Sequence, residues 1–222
     1  ASDVYKRQGM YGQFFILFGL ILVGYYCNKK GYLPLETNKN VGHMVMRVTI
    51  PAMLITTIAS IEITDRVLRA FLLSAAGQIA MMVVFGFLMR QYGRKRGLDS
   101  RLLPMIDLTA GSLNTGFIGL PVTMIFFGQA GIIYMSAGVL ALNLYLWSYG
   151  VYLISDKKAT GAAAIGKSFL QGAINPNCIS ILLGLLLAVT HTARFVPTVV
   201  LGFLTKVGDL STPLSLIYIG AL

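Results

Sequence analysis

Charge is scarce in this chain. Asp, Glu, Lys and Arg together make up 12% of its 222 residues, and only 8 residues are acidic. A water-soluble domain is excluded, because a composition that is 56% hydrophobic would leave much apolar surface facing water. Cysteine is nearly absent: Cys27 and Cys178 fall inside or at the edges of apolar runs, which suits small packing residues rather than a disulfide or a metal site. Histidine is equally scarce, with His43 and His191 expected near opposite membrane surfaces, and Ser112 has no base at its depth. With no paired carboxylates and no Cys/His ligand spacing, the sequence implies no enzyme, no metal and no cofactor. Strict alternation of apolar and polar residues is missing too, which excludes a β-barrel.

What remains is apolar runs of about 20 residues, long enough at about 1.5 Å per residue to cross a hydrocarbon core of about 30 Å. The mean hydropathy is +0.74. Seven helical spans are expected, over Tyr11–Cys27, Val41–Ser60, Arg69–Met89, Leu102–Gly128, Gly131–Ile154, Gly172–Thr190 and Val199–Leu222. Lys29 and Lys30 follow the first run without a small-residue cleavage site, so that run reads as a retained span and not as a signal peptide. Residues 1–9 are polar and precede Met10, and they read as a non-native leader.

The net charge of +10 does not imply nucleic acid, because the basic residues sit in short loops between spans. Lys29, Lys30 and Lys39 follow the first span, Arg90, Arg94, Lys95, Arg96 and Arg101 surround the loop after the third, and Lys157, Lys158 and Lys167 follow the fifth. The positive-inside rule then puts these loops in the cytoplasm and the N-terminus outside. The expected location is a multi-pass protein of the plasma membrane, the inner membrane of the cell.

A weak internal repeat is visible. Gly19 in the first span corresponds to Gly184 in the sixth, and Pro51 in the second to Pro213 in the seventh, at nearly equal separations. Five spans per copy would invert the second copy relative to the first. On that reading residues 10–155 are the first repeat, 156–171 a cytoplasmic linker, and 172–222 the first two spans of a second repeat. The two prolines mark expected helix breaks.

The fourth span carries the densest signal. From Asp107 to Pro121 it holds Ser112, Asn114, Thr115, Gly116, Gly119 and Pro121 at the depth of a span. Glycine and proline together predict a break between about Asn114 and Pro121, and unwound backbone at that depth must line a cavity or be buried in protein. Pro121 suits the first turn of a new half-helix, whose amides and positive end favour an anion.

The stretch Asn114-Thr115-Gly116-Phe117-Ile118-Gly119-Leu120-Pro121 resembles the signature of the auxin efflux carrier family, which includes plant auxin exporters and bacterial malate-permease-like carriers. The Pro51 region, Asn143 with Trp147 and Gly150, Asn175-Pro176, Gly184 and Pro213-Leu214-Ser215-Leu216 also resemble that family, over Met10 to Leu222. The resemblance implies an all-α polytopic membrane protein of ten spans in two inverted five-helix repeats, like sodium/proton antiporters and bile-acid symporters, with seven spans present. It implies that broken fourth and ninth spans cross at the substrate, that spans one, two, six and seven form a scaffold, and that a homodimer forms through it. The function implied is secondary transport of an organic anion, a carboxylate such as malate or an auxin-like acid, by elevator-type alternating access. Asn114, Thr115, Gly116, Gly119 and Pro121 would form the half of the site present.

Charged residues within spans are costly enough to be functional candidates. Asp107 lies two helical turns before Asn114, on the same face if the helix is continuous, and it is a candidate for proton coupling. The alternative is an acid near the interface, paired with Arg101. Lys206 and Asp209 have the spacing of an intrahelical ion pair. Seven spans with Lys206 in the last also describe a retinal protein with a Schiff-base lysine, a reading that leaves the fourth-span break unexplained.

Overall fold

The computed structural model describes residues 2–154 and 174–222. The expected linker at 156–171, with Lys157, Lys158 and Lys167, lies outside the described residues, as does the expected start of the sixth span at Gly172 and residue 1 of the expected leader. The described chain is helical throughout, and it is a polytopic membrane fold.

The first span is α1, Ser2–Lys29, and it includes the backbone of residues 2–9. Gly31, at φ 77°, turns the chain into α2, Leu35–Met44, which passes through a π-helical turn, Val45–Thr49, into α3, Ile50–Ala59. The expected break at Pro51 is therefore a widening. Proline cannot supply its amide to the turn before it, and the chain accommodates the loss with one π turn while the span stays continuous. Thr64 caps α4, Asp65–Lys95, by accepting from the Val67 amide at 3.3 Å, and Gly97 ends it at φ 71°. That helix extends well past the apolar run on both sides, because helix propensity does not stop where the lipid does.

The fourth span is α5, Leu103–Gly111, then an unwound segment over residues 112–114, then a π turn, Thr115–Gly119, leading into α6, Leu120–Tyr145. Within α6 the chain reverses at Gly128, whose φ of 63° and ψ of −158° lie outside the helical region. A Cβ built on Gly131 would stand 2.7 Å from the Thr123 methyl, and one on Gly119 would meet the Met135 side chain. Residues so far apart along one straight helix could not touch, so the fourth and fifth spans are antiparallel and joined at a single glycine. A further π turn, Leu146–Gly150, and α7, Val151–Ile154, complete the fifth span.

The sixth span is α8, Pro176–Val189, capped by the Asn175 side chain on the Asn177 amide at 2.9 Å. The seventh consists of α9, Thr198–Asp209, and α10, Ser211–Gly220, with a bend at Leu210, three residues before Pro213.

Packing divides the helices into two groups. In one, α1 lies along α10, and α3 lies along both α8 and α9. Glycines bring these backbones together: Gly24 faces the Ile217 carbonyl, Gly220 faces the Ile21 carbonyl, and a Cβ on Gly184 would meet Ile58 Cβ at 2.9 Å. This is how helices associate in lipid, where close approach replaces the hydrophobic effect. In the other group α4 packs on α5 and α6. The groups meet mainly through α6, around a core that includes Ile50, Leu54, Leu120, Ile132 and Ile181. Outward residues such as Phe15 and Leu73, 80% and 73% exposed, are apolar, as a surface in a bilayer requires.

Candidate functional site

The fourth span breaks because three local preferences coincide. Ser112 ends α5 by turning its hydroxyl back to the Leu108 carbonyl at 2.7 Å while its backbone becomes extended, at ψ 103°. Asn114 then caps the next half-helix, its Oδ1 accepting from the Phe117 amide at 3.1 Å. The Gly119 amide reaches the Asn114 carbonyl at 3.0 Å, which closes the π turn, and Pro121 follows in the first turn of α6. The break falls at residues 112–114, slightly ahead of the expected stretch, because the asparagine acts as the cap and the glycines belong to the turn it caps.

The sequence-predicted residues lie at one level of the fold but do different work. Asn114 is exposed and Gly116 and Gly119 are partly so, whereas Thr115 and Pro121 are buried. A Cβ on Gly116 would meet Met46 Sδ at 3.2 Å, so this turn rests against the π-helical turn of the second span. Phe117 stacks on Tyr218 of α10 with centroids 4.5 Å apart, which brings the seventh span to the same place. The amides of Gly116 and Ile118 belong to the turn that Asn114 caps, where a helix start leaves amides without partners of its own, and with the Asn114 amide nitrogen they are the candidate donors at the break.

Asp107 stands apart from this. It does not share a helix face with Asn114, because α5 ends at Gly111 between them. Nor does it pair with Arg101. Its Oδ2 accepts from Tyr149 Oη at 2.9 Å and from Arg90 at 3.4 Å, and the residue is fully buried. Oδ1 and the nearby hydroxyl of Tyr145, itself 3% exposed, have no partner among the described residues. Gly86 on α4 lies directly beneath the carboxylate, and Gly111 beneath the Tyr145 hydroxyl. A larger residue at either position would occupy the space these polar groups need.

Sequence reasoning missed Arg90, Tyr145 and Tyr149. Arg90 read as a loop charge because the apolar run ends at Met89, although α4 continues for another turn and more. The two tyrosines are four apart in the fifth span, the spacing of one helix face, and that was their available signal.

The expected Lys206–Asp209 ion pair does not form. Among the described residues the ion pair that closes within 4.0 Å is Arg90–Asp107. Asp209 is the last residue of α9, and the bend that follows turns it toward a cavity instead. Lys206 is exposed on α9, where a Schiff-base lysine would need to be enclosed.

The pattern of a family described as membrane transport protein matches residues 10–222. An uncharacterized transporter of Methanothermobacter thermautotrophicus is 29% identical over 117 residues, which are 51% of this chain and 37% of the relative. The chain thus aligns with well under half the length of that curated relative.

Proposed function

The chain belongs to the membrane transport protein family, that of the auxin efflux carriers, and from that premise we infer that it carries an organic anion, a carboxylate such as malate or an auxin-like acid, across the plasma membrane. The observation that carries this reading is the break at Ser112–Asn114. It places the start of a half-helix, with its amides and positive end, next to the exposed Asn114. Donors of that kind suit a carboxylate, and no lysine or arginine is needed beside them.

The reading extends to mechanism. The reciprocal packing of the first span on the seventh and the second on the sixth is the arrangement two inverted copies would give, and it supports an inverted repeat with these four spans as scaffold. The third, fourth and fifth spans, tied together around Asp107, would travel as a unit in elevator-type exchange. In the same reading Asp107 exchanges the coupled proton, the N-terminus is outside, and a homodimer forms on the scaffold.

The test is uptake of radiolabelled malate and indole-3-acetate by proteoliposomes of the full-length protein, with and without a proton gradient. Saturable uptake of either acid supports the reading. Absence of both, with the protein folded, removes this substrate class.

A further inference from the structure

The bend in the seventh span opens on a cavity that the anion reading does not use. Of about 310 Å³, it lies between α3, the end of the fourth span in α6, and the junction of α9 with α10. Ser60 and Gln129, beside the turns that end the second and fourth spans, mark one end. Met53, Gly208 and Thr212 lie deeper, toward the two prolines. Asp209 is its one ionisable lining residue, and the carboxylate makes no ion pair within 4.0 Å among the described residues.

The lining is rich in oxygen, and three of its hydroxyls have their hydrogens already committed. Thr56 donates to the Ala52 carbonyl at 3.0 Å, Ser60 to that of Thr57 at 2.8 Å, and Thr205 to that of Leu201 at 2.8 Å. A hydroxyl has one hydrogen and two lone pairs, so each of these three has mainly acceptor capacity left. The backbone adds to this. Pro213 has no N–H, so the Asp209 carbonyl lacks the donor that a continuous helix would supply four residues on. It also lies at the C-terminal, negative end of α9. The Asp209 carboxylate, its carbonyl and these three hydroxyls present oxygens to the cavity beside the Gln129 amide and the Thr57 and Thr212 hydroxyls; such an oxygen set suits a hard cation, and broken-helix C-termini at membrane depth are a physical basis for binding one.

We propose that the cavity at the α9–α10 bend binds a hard monovalent cation, sodium, through Asp209 and the hydroxyl oxygens of Thr205, Thr56 and Ser60. Binding itself does not rest on the transport reading. If that reading holds, α6 belongs to the travelling group and α3, α9 and α10 to the scaffold, so the site is complete in one arrangement of the carrier and the cation favours that arrangement.

The test is thermal unfolding of the purified chain in detergent, at constant pH and ionic strength, with sodium chloride exchanged for potassium or choline chloride. Sodium is expected to raise Tm saturably, potassium less, and choline not at all. Asp209→Asn abolishes the sodium response, and Thr205→Val raises its half-saturation by about tenfold, the scale of one lost contact to a charged ligand. Should Asp209→Asn fail to fold, Thr205→Val on its exposed position still decides the matter. Equal Tm values in the three salts, or a sodium response that both variants leave unchanged, would each overturn the proposal. No transported substrate enters the assay, so its failure is distinct from failure of the anion reading.

Discussion

The hydroxyl of Tyr149 donates a 2.9 Å hydrogen bond to the Asp107 carboxylate, which joins the fifth span to the first half of the broken fourth. Arg90 reaches the same oxygen from the third span, so one buried carboxylate holds three spans together. Removing each member should therefore cost a different amount. Tyr149→Phe loses one interhelical hydrogen bond and is expected to lower stability by about 1 kcal/mol, the scale found between helices in lipid. Asp107→Ala also leaves the guanidinium unpaired and should cost about 3 kcal/mol. Thermal unfolding in detergent checks the order, and equal losses would mean that Arg90 draws little from the pair.

The glycines beneath this cluster give a second prediction. Gly86 faces Asp107, and Gly111 faces Tyr145 and stands 2.7 Å, at its Cβ position, from the Met82 carbonyl. Gly86→Ala and Gly111→Ala should each destabilise by about 1–3 kcal/mol through overpacking. Gly77, on the same helix as Gly86, has open space around it. Gly77→Ala is expected to be neutral or to stabilise by up to about 1 kcal/mol, because alanine is the better helix former. Tm values of the three variants, measured side by side, separate packing from propensity.

The contrast between those glycines marks what the sequence could convey. Span positions were legible because lipid imposes a length and an apolar composition on each run. The break in the fourth span was legible because Gly116, Gly119 and Pro121 are local breakers and Asn114 a local cap. Partners were not legible. Arg90 and Tyr149 both meet Asp107 only because α4 runs on past its apolar stretch and the chain reverses at Gly128. A single glycine among so many gives no warning that a helix turns back there. Pro51 and Pro213 show the same limit, since one yields a π turn and the other a bend, and neighbouring packing decides which.

Coupling at Asp107 makes a prediction that stability alone cannot answer. Asp107→Asn keeps the shape of the side chain and cannot exchange a proton. It is expected to make uptake by the full-length protein insensitive to an imposed proton gradient, while substrate is still bound. Flux measured across a series of gradients, with protein amount held constant, reads this directly. Unchanged gradient dependence in the variant assigns Asp107 to holding the three spans and nothing more.

Asn114 has two separable duties at the break, and its substitutions should tell them apart. Its Oδ1 caps the Phe117 amide, and the residue stands exposed at the start of the half-helix it caps. Asn114→Ala removes both, so a stability loss of about 1 kcal/mol from the cap should accompany a rise in the half-saturation for the transported acid. Asn114→Asp keeps an oxygen to cap the helix and should preserve Tm, since aspartate caps as well as asparagine. It places a negative charge where the anion would sit, so its uptake should fall further than that of the alanine variant. If uptake follows Tm across both variants, Asn114 shapes the turn without touching substrate. If the aspartate variant is stable and inactive, the substrate lies against residue 114.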